Sequence, residues 1–227
     1  MLHRFRGGRF TRAIVILSGG IDSATALYLT KRQSDDIYSL NMVYSQAYDA
    51  EAEAAKKIAA KANVKEHISL LLPFFKDITD RYHPLPSAEI TSAYVPARNI
   101  VFYGAAAAYA ECIGADRIVF GSNADDAREL PDAQADFIQL MNELISKGTR
   151  IGREGSTITV ITPLIQYNKT EVLRVALDLG VPLELTWSCF ENGETPCGTC
   201  RGCLGRSKAF LELGKPDPLL TSMNATR

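Results

Sequence analysis

The sequence predicts an α/β fold in which a parallel sheet carries helices on both faces. Short apolar, β-branched runs alternate with helical patterns along the 227 residues, and this alternation is typical of a parallel sheet. A Gly- and Ser-rich junction directly follows the first apolar run, and four cysteines cluster near the end of the chain. We expect a nucleotide-binding domain over residues 13–186 and a small metal-binding lobe with a C-terminal helix over residues 187–227, packed on the same domain.

The first half of the chain begins with a buried strand over residues 13–17, followed by a helix over residues 22–32. A second strand is predicted over residues 37–44. Strong helix formers then indicate a helix over residues 50–62, and an apolar alternation indicates a strand over residues 65–70.

The second half begins after an irregular connection, residues 73–96, that contains four prolines. The alanine-rich residues 97–114 are predicted to form a closely packed helix that ends at Gly114. Asn168 and Glu171 form the capping signal of a later helix. The remaining predicted elements are a strand at 116–122, a helix at 134–148, a strand at 156–164, a helix at 168–180 and a helix near 204–213.

The composition is that of a soluble globular protein and gives little support for a nucleic-acid partner. Hydrophobic residues make up 46% and charged residues 22%, and the formal net charge is −1. No apolar run approaches the roughly 18 to 20 residues of a membrane span. The basic residues 1–12 hold four arginines without an apolar segment after them, so we expect a disordered arm, with an organelle-targeting segment as the alternative. A cytoplasmic protein is expected.

Residues Ser18–Ser23, with the sequence SGGIDS, join the first strand to the first helix. Ligands of open parallel sheets bind beyond the carboxyl ends of strands, where the next helix presents free N–H groups and its positive dipole. The glycines let the backbone approach a bulky anion, and the serine hydroxyls can donate to phosphate oxygens. Asp22 would repel a phosphate unless it caps the helix or binds Mg²⁺. A phosphate-binding loop is therefore predicted, and a plain Gly-rich turn is the alternative.

The cysteine cluster has the spacing C-x7-C-x2-C-x2-C and comprises Cys189, Cys197, Cys200 and Cys203. Four thiolates from one short segment suit a tetrahedral Zn²⁺ site that is closed and structural. An iron–sulfur cluster uses the same ligands and is the rival interpretation. The fifth cysteine, Cys112, is predicted to be a core residue of the alanine-rich helix.

The stretch LSGGIDSATAL resembles the pyrophosphate-binding loop of the ATP-pyrophosphatase superfamily, whose fold is of the adenine-nucleotide alpha hydrolase (PP-loop) type. The resemblance implies that Mg²⁺ is held partly by Asp22 and that Lys169 lies near the phosphates; a solvated first-turn lysine is the alternative for Lys169. It also implies that ATP binds along Leu17, Ser18, Gly19, Gly20, Ile21, Asp22, Ser23, Ala24, Thr25, Ala26 and Leu27.

Most of the chain, from residue 13 to about residue 213, is similar to the 7-cyano-7-deazaguanine synthase (QueC) family. The similarity is carried by YVPARNIVF, FGSNADD, PDAQADFIQLMN, TPLIQYNKTEVLRVALDLGV and LTWSCF…CGTCRGC. It implies that ATP activates 7-carboxy-7-deazaguanine and that ammonia then gives the amide and finally the nitrile. It further implies one zinc ion per chain and a homodimer.

Adenylation of a carboxylate needs phosphate positioning and electrostatic stabilisation more than a side-chain nucleophile. The predicted catalytic residues are Asp22, Ser23, Lys169 and Arg98. Arg98 and Asn99 are expected to bind the substrate carboxylate or the phosphates, and Asn123 and Asp126 to read the edge of the deazaguanine. Trp187, the only tryptophan, either stacks on a base or packs against the metal lobe, and packing is favoured.

The chain departs from the family near the expected substrate. Where the family has NAVDYSGYPDC this chain has NADDARELPDA, and where the family has DYGQRH it has VYSQAY. A related ligase that joins the activated deazaguanine to another amine, for example a protein N-terminus, and stops at an amide is therefore an alternative. A sulfur-inserting tRNA enzyme of the same superfamily and a zinc-ribbon module with an inactive nucleotide fold are weaker alternatives.

Overall fold

The computed structural model describes residues 12–34, 36–44, 49–81 and 94–225. Within them, five parallel strands form one sheet in the order β3-β2-β1-β4-β5. Because the strand order changes direction beside β1, a crevice opens beyond the carboxyl ends of β1 and β4, where such folds bind ligands. The strands are β1 Ala13–Ile16, β2 Ile37–Val43, β3 Glu66–Leu71, β4 Arg117–Val119 and β5 Thr159–Ile161.

Helices connect the strands and continue beyond the last one. Short 3₁₀ turns at Pro131–Ala133 and Leu183–Leu185 complete the described structure. The helices are α1 Ile21–Lys31, α2 Asp49–Ala62, α3 Phe74–Arg81, α4 Arg98–Ile113, α5 Ala124–Glu129, α6 Ala135–Gly148, α7 Arg150–Arg153, α8 Lys169–Leu179, α9 Arg201–Glu212 and α10 Pro218–Ala225.

The central strand divides the hydrophobic core into two layers. Val15 and its neighbours on one face pack with residues of α1, α2, α8 and α9. Ile14 and Ile16 point to the other face and pack with residues of α4 and α6. Alternate side chains of a strand point to opposite faces, so the fully buried β1 needs apolar residues throughout. The predicted parallel sheet with helices on both faces is confirmed.

Several predictions about local structure were wrong or incomplete. Helix α3 lies in the segment that was predicted to be irregular, and the short α5 and the terminal α10 were not predicted. Cys112 is exposed rather than buried. The core face of α4 carries Ala106 and Ala110, and a residue two positions beyond Ala110 is rotated by about 200° to the solvent side.

Residues 1–11 at one end of the chain and residues 226–227 at the other lie outside the described residues. Only Arg12 of the predicted N-terminal arm is described, and its guanidinium forms an ion pair with Asp36 (Nε to Oδ2, 2.8 Å). At the other end, Cys189, Cys203 and Leu219 pack with Ala54 of α2, which places the cysteine segment against the sheet domain. In the described part of the chain, no helix has the length and apolar character needed to cross a membrane.

Candidate active site

The loop between β1 and α1 is closed by its own serines. The Ser18 backbone N–H donates to Ser23 Oγ (3.1 Å), and the two serine hydroxyls lie 3.1 Å apart. The Ser23 hydroxyl also donates to the carbonyl oxygen of Gly20 (3.1 Å). Gly20 is the N-cap of α1 without a side-chain capping bond, so Asp22 does not cap the helix. The helix N-terminus and the two hydroxyls therefore lie together at this loop, an arrangement that suits a phosphate ligand.

Close backbone contacts around this loop require glycine at two positions, Gly19 in the loop and Gly121 after β4. Gly19 has φ +91°, and a Cβ atom there would lie 2.4 Å from the Glu51 carbonyl oxygen and 2.9 Å from the Ala55 nitrogen. A Cβ on Gly121, just after β4, would lie 2.8 Å from Cα of Ser23. Side chains at either position would push α2 or the end of β4 away from the loop. The loop is thus held from two sides at the crevice beside β1 and β4.

Asp22 and Lys169 meet at the mouth of the loop, where Lys169 Nζ lies 2.5 Å from Asp22 Oδ2. Lys169 begins α8, and its backbone N–H donates to Asp125 Oδ2 (3.0 Å). The other carboxylate oxygen of Asp22, Oδ1, is buried and has no partner in the described structure. An orphaned carboxylate oxygen beside a phosphate loop fits a hard cation such as Mg²⁺. The structure thus brings together the residues that the resemblance placed at the phosphates.

Asn123 and Asp126 form the capping box that starts α5. Asn123 Oδ1 accepts hydrogen bonds from the backbone N–H groups of Asp125 (2.8 Å) and Asp126 (3.0 Å), and Asp126 Oδ2 accepts one from Asn123 N (3.1 Å). Burial raises the pKa of Asp126 to about 6, and the negative charge of Asp22 adds to that shift. Asp126 therefore lies in the electrostatic field of the phosphate loop. That the two residues also read the deazaguanine edge stays a prediction.

Arg98 and Asn99 stand at the first turn of α4 but differ in exposure and partners. Asn99 is buried, and it holds the 3₁₀ turn through its N–H to Asp132 Oδ2 (3.2 Å) and its Nδ2 to the Asp132 carbonyl oxygen (3.1 Å). Arg98 is partly exposed, and its Nη1 donates to the hydroxyl of Tyr44 (2.9 Å). Among the described residues, Tyr44 is the one hydrogen-bond acceptor of the Arg98 side chain, so its remaining donors can serve an anionic ligand, whereas the Asn99 amide is engaged in the fold.

Glu51, in the first turn of α2, was not predicted as a site residue. Its backbone carbonyl touches Gly19, and the residue is partly buried. Burial raises the pKa of Glu51 to about 8, and the positive charge of Arg98 opposes that shift. In the sequence this residue is one of two glutamates in an alanine- and lysine-rich helix, a pattern typical of a solvated face. Only the packing of α2 against the loop distinguishes it.

The four predicted metal-ligating cysteines come together at the start of α9. Their sulfur atoms all lie within 4.8 Å of one another, with Cys197 to Cys203 and Cys189 to Cys200 both at 3.9 Å. A tetrahedral Zn²⁺ with Zn–S bonds of about 2.3 Å separates its sulfurs by about 3.8 Å. Backbone N–H groups point at these sulfurs, and those of Thr199 and Cys200 lower the pKa of Cys197 to about 6. The cluster fits a tetrahedral metal ion held by thiolates.

Trp187 packs beside this cluster rather than facing a ligand. Its side chain is 6% exposed and contacts the group formed by Ala54, Cys189, Cys203 and Leu219. A ring buried to this extent has no free face on which a base could stack. The prediction that Trp187 packs against the metal lobe is confirmed.

The sheet order and the self-closed SGG loop define a PP-loop nucleotide-binding protein of the ATP-pyrophosphatase type. Solved structures of similar fold include NMN synthetase from Francisella tularensis, with a TM-score of 0.52, 16% identity and coverage of 92% of this chain and 79% of that one. The NH3-dependent NAD synthetase from Campylobacter jejuni has a TM-score of 0.51 at 17% identity, with 98% and 86% covered. At these identities the likeness concerns the fold.

Sequence comparison identifies the family. The profile described as "Queuosine biosynthesis protein QueC" matches residues 12–214. A protein of Trichodesmium erythraeum named 7-cyano-7-deazaguanine synthase is 42% identical over 221 residues, which cover 92% of this chain and 100% of that protein. A protein of the same name from Acetivibrio thermocellus is 38% identical, with 92% and 96% covered. The chain belongs to the QueC family.

Proposed function

We propose that this protein is an ATP-dependent carbon–nitrogen ligase that converts 7-carboxy-7-deazaguanine and ammonia to 7-cyano-7-deazaguanine. The observation that carries the proposal is the loop Ser18–Ser23 with the Asp22–Lys169 pair at its mouth. The curated relatives, which match about nine-tenths of this chain, are named 7-cyano-7-deazaguanine synthase. Small-molecule chemistry at this crevice also agrees with the nearly balanced charge of the chain.

The first step in this proposal is adenylation of the substrate carboxylate. A carboxylate is a poor electrophile, so its oxygen must first be joined to the α-phosphorus of ATP, with release of pyrophosphate. The amides at the start of α1 and the hydroxyls of Ser18 and Ser23 bind the β- and γ-phosphates. Lys169 neutralises the charge that develops on the departing pyrophosphate, which an internal lysine does in loops of the GxxxxGK[ST] type. Asp22 would hold Mg²⁺, which would add to the neutralisation of the phosphates.

Arg98 is proposed to orient the substrate. Its position at the start of α4, beside Tyr44 just beyond the carboxyl end of β2, suits a guanidinium that binds the carboxylate and holds it in line with the α-phosphorus. The hydroxyl of Tyr44 and the face of the Tyr44 ring, 5.5 Å from the Arg98 guanidinium carbon, restrict its motion. Ammonia then displaces AMP to give the amide, and a second activation, now of the amide oxygen, gives the nitrile.

The metal at the cysteine cluster is proposed to be Zn²⁺ in a structural role. Cys189, Cys197, Cys200 and Cys203 supply four ligands and leave no open position for a substrate. Elemental analysis tests the identity of the metal: stoichiometric zinc supports the proposal, and stoichiometric iron contradicts it. Thiolate ligands and ATP both suit the reducing cytoplasm, where we place the protein.

The chain is further proposed to be a homodimer, as the family resemblance implies. Leu140 and Leu144 lie one turn apart on α6 and are 63% and 59% exposed. An exposed apolar pair of this kind is a feature of protein contact surfaces. Light scattering coupled to size exclusion should give twice the chain mass of 24.9 kDa, and a single-chain mass at micromolar concentration would contradict the proposal.

Mass spectrometry of a reaction with ATP, Mg²⁺, ammonia and 7-carboxy-7-deazaguanine tests the function. Formation of the nitrile, with AMP and pyrophosphate as by-products, is the expected result. Adenylation without any nitrile at high ammonia would instead favour the related ligase that uses another amine. The observation that favours this alternative is that Ala127–Leu130 replaces the family's Tyr-Ser-Gly-Tyr element near the site.

A further inference from the structure

Glu51 lies against the phosphate loop. Its carbonyl oxygen is so close to Gly19 that a Cβ atom on that residue would be 2.4 Å away, and the next turn of the helix, at Ala55, touches the same glycine. Helix α2 therefore lies directly on the loop with its first turn at the mouth of the crevice. This backbone contact fixes the Glu51 main chain beside the loop that is proposed to bind the phosphates.

The positive charge of Arg98 acts on the Glu51 carboxyl group. Helix α2 packs against α1, β2, β3 and the Leu183–Leu185 turn. Of the charged groups that these elements and α4 present in the described structure, Arg98 is the one whose field reaches Glu51. No described side chain forms a hydrogen bond with this carboxyl group. Burial raises the pKa of Glu51 to about 8, so both the acid and the carboxylate are accessible near neutral pH.

The reaction assigned under the proposed function needs a base at this place. When ammonia adds to the carbonyl carbon of the acyl adenylate, a C–N bond forms and the nitrogen carries a positive charge. One N–H proton must leave before the C–O bond to AMP breaks, with its electron pair departing on AMP, to give the neutral amide. The reacting carbon lies next to the α-phosphorus, which in turn is adjacent to the loop that holds the β- and γ-phosphates. A base must therefore stand beside the loop.

We propose that the Glu51 carboxylate is the catalytic base that accepts the proton from the attacking ammonia nitrogen. The same group then accepts protons from the amide nitrogen as the C≡N bond forms and the second AMP leaves, with each proton passed to water between steps. Asp22 is unsuited to this role because Lys169 pairs with its Oδ2 and its Oδ1 is the proposed ligand of Mg²⁺. Asp126 is unsuited because its Oδ2 binds the backbone of Asn123. This inference rests on the proposed function.

The test separates adenylation from amide formation in the Glu51→Gln variant of the full-length, metal-loaded protein. Adenylation is measured as pyrophosphate release from ATP and 7-carboxy-7-deazaguanine without ammonia. Amide formation is measured in a single turnover after ammonia is added, over a pH series at constant free ammonia. We expect adenylation within about twofold of the wild type and amide formation slowed by about 10²- to 10⁴-fold. The wild-type rate should rise with pH to a plateau, with the midpoint of the rise near the Glu51 pKa of about 8. That rise should be absent in Glu51→Gln.

Two comparisons exclude a merely structural effect. Glu51→Gln replaces a partly buried carboxyl group by a neutral group of the same shape, so the unfolding midpoint of the variant should not fall below that of the wild type. Glu53→Gln changes an exposed glutamate of the same helix and should leave both steps unchanged. Glu51→Asp keeps a carboxylate but shortens its reach, and it should recover part of the lost rate.

Three results would overturn the inference. If Glu51→Gln forms the amide at the wild-type rate, Glu51 is not the base. If it raises only the KM for the deazaguanine, Glu51 binds the guanine edge instead of moving a proton. If the wild type itself releases no pyrophosphate with this substrate, the proposed function fails and the inference fails with it. The first two results leave the proposed function standing.

Discussion

The backbone N–H of Trp187 donates a hydrogen bond to the carbonyl oxygen of Gly19, with 2.9 Å between the two atoms. Trp187 is two residues from Cys189, so the segment that enters the cysteine cluster is attached directly to the phosphate loop. The carbonyl oxygen of Trp187 also lies 3.6 Å from where a Cβ on Gly20 would stand. The metal site and the nucleotide site are thus joined through one short, buried segment.

Removal of the metal should therefore weaken nucleotide binding as well as the fold. A structural zinc contributes on the order of 10 kcal/mol of apparent binding energy, so Cys203→Ala should destabilise the protein by several kcal/mol. Chelation under conditions that keep the sheet domain folded should weaken binding of a non-hydrolysable ATP analogue by roughly 5- to 150-fold, the usual range of coupling between two sites. Since Trp187 is the only tryptophan, its fluorescence should report both events. Unchanged affinity of the folded, metal-free protein would contradict this coupling.

Asp22→Ala and Lys169→Ala should each abolish adenylation without unfolding the protein. The two side chains are about a quarter exposed, and ion pairs of that kind contribute about 0 to 1 kcal/mol to stability. Ser23→Ala should have the same effect on adenylation because it removes a hydroxyl from the phosphate site. Pyrophosphate release and thermal unfolding measure the two properties separately. Arg150→Ala, which breaks an exposed pair with Glu154, serves as the control, and full activity of the site variants would show that the loop is only a turn.

Asp126→Asn should change how stability depends on pH. In the folded protein the Asp126 pKa is raised to about 6, above its usual value near 4, so between these pH values the folded state binds the proton that the unfolded state has lost. This carboxyl group therefore makes stability fall as the pH rises from about 4 to 6. The free energy of unfolding of Asp126→Asn minus that of the wild type should therefore be larger at pH 7.5 than at pH 4.5, by on the order of 2 kcal/mol. Urea unfolding at the two pH values measures the difference, and an equal effect at both would contradict the pKa assignment.

The same aspartate carries the earlier prediction about substrate recognition. If Asp126 accepts hydrogen bonds from the deazaguanine edge, Asp126→Ala should weaken substrate binding by about ten- to a hundredfold, because buried donors would lose their partner. Titration of the substrate into the protein with an inert ATP analogue measures this. Undiminished affinity would restrict Asp126 to its role at the start of α5.

Asp217→Ala should destabilise the C-terminal part of the protein strongly. Arg206 is 4% exposed and donates to both carboxylate oxygens of Asp217 (2.6 and 2.8 Å), to Thr186 and to the Leu183 carbonyl. Loss of Asp217 leaves a buried guanidinium without its counter-charge, which costs about 3 to 5 kcal/mol. Chemical unfolding checks this value.

The matched control is Lys208→Ala. Lys208 lies on the same helix as Arg206, and its exposed pair with Glu212 spans 3.8 Å. Its replacement should change stability by less than about 0.5 kcal/mol. A similar loss in both variants would mean that the buried pair contributes no more than a surface one.

The features that sequence could predict are those in which the residue type itself carries the chemistry. The glycines and serines of residues 18–23 indicate an anion site wherever they follow a buried strand, and the cysteine spacing indicates four thiolates around one ion. The helix α8 begins as predicted, with Asn168 and Glu171 in a capping box. Such signals are local, and neighbours far along the chain do not alter them.

The features that sequence could not predict depend on distant contacts. Helix α5 has only six residues and no apolar periodicity, and it begins on the Asn123 and Asp126 side chains that were predicted to face the substrate. Helix α3 starts directly after Pro73, a position that a helix tolerates, inside a segment whose prolines indicated irregular structure. Glu51 stands out only because α2 packs on Gly19. Burial of a charged residue is a property of the whole fold and cannot be read from its own helix.

The product of the complete reaction tests the proposed function most directly. The metal-loaded protein is incubated with ATP, Mg²⁺, ammonia and 7-carboxy-7-deazaguanine, and the deazaguanine species are followed by mass spectrometry. We expect the acid to be converted through the amide to 7-cyano-7-deazaguanine, with release of AMP and pyrophosphate. Asp22→Ala should form neither the amide nor the nitrile. Recovery of the unchanged acid from the wild-type reaction, with no AMP or pyrophosphate formed, would contradict it.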